Sequence, residues 1–320
     1  MILSFILLLT GFVILIRGAD FLVNGASSIA RKFNISTLAI GLTVVAFGTS
    51  APELVVNLVS AISGKSDAAF GNVIGSSNFN LLFILGISGM IYPLVVQRQT
   101  VRYEVPLSLL AILVLYLLVN DVRLWSAETN MLTRLDSLIL LSFFIGFLFY
   151  VKRTMKETSE NQETVEIKIY SNPKAIGLVI AGLAMLVGGG KLAVDNAVEL
   201  AQYFGLSEKL IGLTILAAGT SLPELATSAV AAYRKNTDIA IGNVIGSNIF
   251  NIFFILGVTG TINPISFNTA MNFDIAVLTV ATILLLVFMF TLRKNKLDRW
   301  EAVLLFVGYL AYTVYLVSME

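Results

Sequence analysis

Two six-residue stretches in this chain join hydroxyls and a carboxylate to a predicted break in the backbone: Gly48-Thr49-Ser50-Ala51-Pro52-Glu53 and Gly219-Thr220-Ser221-Leu222-Pro223-Glu224. Proline has no N–H to give to the carbonyl four residues back, and its ring crowds that carbonyl. The carbonyls of Gly48 and Gly219 are therefore freed, and the helices should break there. Each glutamate follows a Thr by four residues and a Ser by three, so the three side chains share a face wherever the turn is helical. A second pair of stretches adds further oxygen. Asn72, Ser76 and Asn80 recur every four residues along one helical face, and Asn243, Ser247 and Asn251 along another. The glycines among them also suit close helix packing, with amides bonding across helices. For Asn72 and Asn243, further from the glutamates, packing and ligand roles both stay open.

The inventory is two carboxylates, several hydroxyls, amide oxygens and freed carbonyls. The chain has no His and no Cys, so nitrogen and sulfur ligands, thiol catalysis, disulfides and the commonest proton shuttle are absent. Hard cations prefer such an oxygen-only site. The two carboxylates balance one Ca²⁺ or two Na⁺; a third Na⁺ would leave the loaded site positive and its turnover sensitive to membrane voltage. An intramembrane hydrolase is the rival class. It would lack a His, a zinc motif and a paired Asp, and would not need every polar group twice. No enzyme activity and no cofactor are expected.

The elements that position these residues are membrane spans. Only 13% of residues are charged against 57% hydrophobic, and mean hydropathy is +0.88; soluble domains carry about a quarter charged residues. Apolar runs of about 20 residues, enough to cross a bilayer, predict ten helices near 2–28, 37–62, 67–92, 103–120, 134–151, 173–203, 208–233, 238–263, 272–292 and 299–318. The first is read as a retained helix. Glu53 and Glu224 are the only acidic residues deep inside spans two, three, seven and eight, where a carboxylate is costly unless paired or functional. Asp20, Asp195 and Glu199, near the ends of spans one and six, are either interfacial charges or neighbours of the ion path. With odd loops on one side, 15 basic residues fall there and four on the other. The positive-inside rule then places the 152–172 linker in the cytoplasm and both termini outside. A net charge of +1 gives no field for nucleic acid, and no obligatory protein partner is evident beside the lipid bilayer.

Residues 41–88 repeat at 212–259: at a constant offset of 171, 26 of 48 positions are identical. Five spans per half is an odd number, so the second half enters the membrane from the opposite side. The expected architecture is an all-α integral membrane protein. Ten transmembrane helices form two inverted five-helix repeats, 1–151 and 173–320, joined by the 152–172 linker, with helices 2, 3, 7 and 8 broken. Inverted repeats place a transported substrate near the midplane.

GTS-x-PE followed by GN-x-x-GS and an Asn, present twice, resembles the alpha-repeat signature of the calcium/cation antiporter superfamily, and within it the prokaryotic-type sodium/calcium exchangers. The likeness covers nearly the whole chain. It implies Na⁺ and Ca²⁺ as transported substrates in the cell membrane, and alternating access with helices one and six sliding against a rigid bundle. The implied ligands are Thr49, Ser50, Glu53, Ser76 and Asn80 in one half and Thr220, Ser221, Glu224, Ser247 and Asn251 in the other, with the carbonyls of Ala46 and Ala217 contributing. Potassium-dependent members and some prokaryotic ones carry Asp where this chain has Asn251. Proton/calcium members lack the proline-containing motif. Proton exchange and potassium coupling are accordingly the alternatives.

Overall fold

The computed structural model describes residues 1–125, 128–154, 169–204, 217–291 and 295–318, and within them the chain is a bundle of helices. The long elements are α1 (Ile2–Lys32), α2 (Thr37–Thr49), α3 (Ala51–Ile62), α4 (Ser66–Ile91), α5 (Thr100–Val119), α6 (Arg134–Arg153), α7 (Asn172–Tyr203), α8 (Leu222–Tyr233), α9 (Thr237–Ile262), α10 (Thr269–Phe288) and α11 (Arg299–Ser318). Among the described residues, eight helices are long and apolar enough to cross a membrane, and the pair α2 and α3, bent by 46°, makes a ninth. The expected span at 208–233 is described only from 217, as the turn Ala217–Gly219 and then α8. Most of the expected linker, 155–168, also lies outside the described residues.

Breaks were expected in the third and eighth spans, and the structure has none there. α4 and α9 run through as continuous helices, each with a π-helical turn, at Phe79–Ile84 and Phe250–Leu256. Neither contains proline, so every residue keeps its N–H. The ladder is widened to i→i+5 pairing instead of interrupted, and such turns recur at functional sites. Smaller differences are at helix ends: α1 continues to Lys32 and α10 stops at Phe288.

Lipid is as apolar as leucine, so small and polar residues decide which face turns inward. In α1 the side chains of Ile2, Phe5, Leu9, Val13 and Ile16 are exposed while Gly11, Gly18, Gly25 and Ala26 are buried. A Cβ at Gly11, Gly18 or Gly25 would meet α7 backbone atoms at 2.7–2.9 Å: Ala193 N, Gly182 O and Ala175 O respectively. The contacts descend along α7 as they ascend along α1, so the two helices run antiparallel. Their seven-residue glycine spacing is what permits backbone-to-backbone approach.

α9 is almost wholly enclosed and α4 largely so, whereas α1, α7 and α11 expose most of their surface. The centre is polar: Asn78, Asn80, Asn243, Asn248 and Asn251 are all at most 1% exposed. Two short antiparallel pairs tie loops of the two halves: Leu94–Val95 with Lys296–Leu297, and Met131–Leu132 with Ile265–Ser266. Asp20, left open between two roles, pairs with Arg234 in the turn between α8 and α9. Asn24 accepts from the same guanidinium at 2.9 Å. Asp195 and Glu199 are exposed.

Candidate cation site

The bend between α2 and α3 falls on Ser50, with φ −82° and ψ 6°, and Pro52 lies in the first turn of α3. Ser221 repeats that backbone, φ −90° and ψ 6°, with Pro223 in the first turn of α8. Each proline therefore starts a helix where its missing N–H costs nothing, and each glutamate sits one residue further on. Asn80 and Asn251 lie in the first turn of the π segments of α4 and α9.

Hydrogen bonds cross between the copies. Ser50 Oγ donates to Glu224 Oε1 at 2.8 Å and lies 3.0 Å from Ser247 Oγ. Ser221 Oγ stands 3.0 Å from both Glu53 Oε1 and Ser76 Oγ. Ser247 Oγ is 3.4 Å from Glu224 Oε1. Glu53 and Glu224 are each 1% exposed. Among the described residues, the ion pairs join Arg234 to Asp20 and Lys296 to Asp298, and neither reaches these glutamates.

Among the buried oxygens without a hydrogen-bond partner are four on expected ligand residues: Glu53 Oε2, Glu224 Oε2, Asn80 Oδ1 and Asn251 Oδ1. They come in equivalent pairs, one from each copy. Buried acceptors are rarely left unpaired, and a cation is the ligand that satisfies acceptors alone.

Asn72 and Asn243 serve the neighbouring groups. Thr49 Oγ1 lies 3.1 Å from Asn243 Oδ1, and Thr220 Oγ1 lies 3.4 Å from Asn72 Oδ1. Each asparagine also donates Nδ2 at 3.3 Å to the backbone carbonyl of the glutamate in its own copy. Both ends of each amide are thus engaged, and the pair orients the threonines and the turns bearing the glutamates. The Ala46 carbonyl accepts from Ser50 N at 3.0 Å and lies 3.3 Å from Thr49 Oγ1. Ala217 opens the short turn leading to Thr220.

These two cross-copy pairs differ in exposure. Thr49 and Asn243 are sealed at 0%, while Thr220 and Asn72 are half-buried and Gly71 is exposed. Gly242 and Gly246 pack against the α2 backbone at Leu38 to Leu42, where an added Cβ would stand 2.8–3.1 Å away. Sequence reading passed over several buried polar groups. Ser77 and Asn248 sit behind Asn80 and Asn251, and Asn57 bonds the Ala69 carbonyl at 2.7 Å. Two carboxyl–tyrosine pairs, Glu104 with Tyr150 and Asp274 with Tyr312, close at 2.6 Å. The repeat itself was the available signal for the first pair, since 77 and 248 are equivalent positions.

A sequence model described as "Sodium/calcium exchanger protein" matches residues 3–153 and 174–318. The chain is similar to the putative antiporter CaxA of Alkalimonas amylolytica, 38% identical across 99% of this chain and 100% of that one. It is 30% identical to the sodium/calcium exchanger MaX1 of Methanosarcina acetivorans across 98% of both. Among solved structures, the sodium-calcium exchanger NCX_Mj soaked with zero Na⁺ and Ca²⁺ matches with a TM-score of 0.82 and 31% identity, covering 100% of this chain and 99% of that one.

Proposed function

The chain belongs to the sodium/calcium exchanger protein family, and on that premise we propose that it is an antiporter exchanging Na⁺ for Ca²⁺ across the cell membrane. The observation that carries the reading is the set of four unpartnered acceptor oxygens, on Glu53, Glu224, Asn80 and Asn251, buried where no basic residue pairs with the glutamates among the described residues. One Ca²⁺ or two Na⁺ balance the two carboxylates equally, and competition of the two ions for that one pair is the exchange step. Thr49, Ser50, Glu53, Ser76 and Asn80 are the ligands in one half and Thr220, Ser221, Glu224, Ser247 and Asn251 in the other, with carbonyls of Ala46 and Ala217 completing the set.

Alternating access follows if the two halves are inverted repeats, 1–151 and 173–320 around a cytoplasmic linker. The antiparallel packing of α1 on α7 supports that inversion. With both termini outside, the half-buried pair Thr220 and Asn72 faces the exterior, and the sealed pair Thr49 and Asn243 faces the cytoplasm. Neutral amides at both Asn80 and Asn251 argue against a need for potassium.

The test is flux. Proteoliposomes loaded with Na⁺ and diluted into Na⁺-free buffer should accumulate Ca²⁺. Uptake driven equally well by a proton gradient without Na⁺ would establish proton/calcium exchange instead.

A further inference from the structure

Where α4 meets α9, a short chain of hydrogen bonds dictates which atom of each amide donates. Ser77 Oγ gives its single proton to the Val73 carbonyl at 2.8 Å, so its lone pairs are left only to accept. The amide nitrogen of Asn251 reaches them at 3.5 Å. Asn248 gives Nδ2 to the Ser77 carbonyl at 3.3 Å, which turns its Oδ1 to the amide nitrogen of Asn80 at 3.0 Å. Asn80 and Asn251 are thus each held by the nitrogen end, and the oxygen end is without a partner. An asparagine amide has nearly the same shape either way round, so hydrogen bonding alone selects its orientation.

We infer that Ser77 and Asn248 are positioning residues that turn the carbonyl ends of Asn80 and Asn251 toward the transported cation and hold their NH₂ groups away from it. The inference rests on the reading of those two asparagines as cation ligands. Ser77 and Asn248 are equivalent positions, 171 residues apart, with different chemistry. One imposes amide polarity through a hydroxyl whose proton is committed, the other through an amide whose nitrogen is committed. All four side chains are at most 1% exposed, so no water competes to relax the orientation.

A carboxylate offers oxygen at both ends and needs no such selection, which separates positioning from mere support. Ca²⁺ binding to purified protein, by calorimetry, and Na⁺-driven Ca²⁺ uptake in proteoliposomes are the readouts. Ser77→Ala and Asn248→Ala should each raise the half-saturating Ca²⁺ concentration by about tenfold. Ser77→Thr, which keeps the hydroxyl, should restore it. In an Asn251→Asp background Ser77→Ala should add no further loss, and in an Asn80→Asp background neither should Asn248→Ala. Alanine variants with wild-type affinity, or with equal losses in both backgrounds, overturn the inference. Ser77→Ala removes one oxygen and decides the matter if Asn248→Ala does not fold. A wild-type protein that binds neither Ca²⁺ nor Na⁺ overturns the ligand reading and this inference with it. One that binds and exchanges while the alanine variants are indifferent overturns the inference alone.

Discussion

Ser50 at the bend between α2 and α3 donates at 2.8 Å to Glu224 of α8, a residue 174 positions away. The mirror contact, Ser221 to Glu53 at 3.0 Å, spans 168 positions. Each glutamate is therefore held by the other copy's serine, and the site exists only when both halves are assembled. A hydrogen bond to a charged group is worth about 1.5–3 kcal/mol. Ser50→Ala and Ser221→Ala should each raise the half-saturating Ca²⁺ by about tenfold or more, and by similar factors. A loss confined to one of them, in Na⁺-driven uptake, would show that the two contacts are not equivalent.

Glu53→Gln and Glu224→Gln should each abolish Ca²⁺ uptake. Either change halves the negative charge of the cluster while nearly keeping its volume, and a single carboxylate no longer balances a divalent ion. Na⁺-dependent ⁴⁵Ca²⁺ flux checks this, with detergent-solubilised monodispersity as the control for folding. Normal flux in either variant would remove that residue from the ligand set.

Asn251→Asp would add a third carboxylate to the proposed ligand set. Interacting carboxylates titrate as a group, so exchange by this variant should become sensitive to pH or to added K⁺, while wild-type flux should need no K⁺. Rate, pH profile and K⁺ response are the measurements. An unchanged profile would mean that Asn251 does not face the ions.

The absence of native cysteine makes orientation directly testable. A cysteine at Ser159 should react with an impermeant maleimide only from the cytoplasmic side, and one at Ser66 only from outside. Labelling of both from one face would refute the inverted assignment.

Gly18→Ala should destabilise the packing of α1 on α7. The added methyl would stand 2.8 Å from Met185 Cβ and 2.9 Å from the Gly182 carbonyl, and overpacking of this kind costs about 1–3 kcal/mol. The thermal unfolding midpoint in detergent should fall by several degrees. A neighbouring change at lipid-exposed Ile16 to Ala should leave it nearly unaltered.

The sequence by itself carried the chemistry and the duplication. Pro52 and Pro223 announce the bends at Ser50 and Ser221, because a missing N–H acts within four residues of chain. The four-residue spacing of Asn72, Ser76 and Asn80 announces a polar face for the same local reason. Continuity of α4 and α9 was not legible, because a π turn needs no signature residue and arises when packing favours one extra residue in a turn. Tertiary structure alone decided that Ser50 answers Glu224 instead of Glu53, and that Ser77 and Asn248 set the polarity of Asn251 and Asn80. Those choices depend on how α4 crosses α9 and on where two chain segments about 170 residues apart come together. Hydrogen bonds fall off within a few tenths of an ångström, a distance that spacing along one helix does not encode.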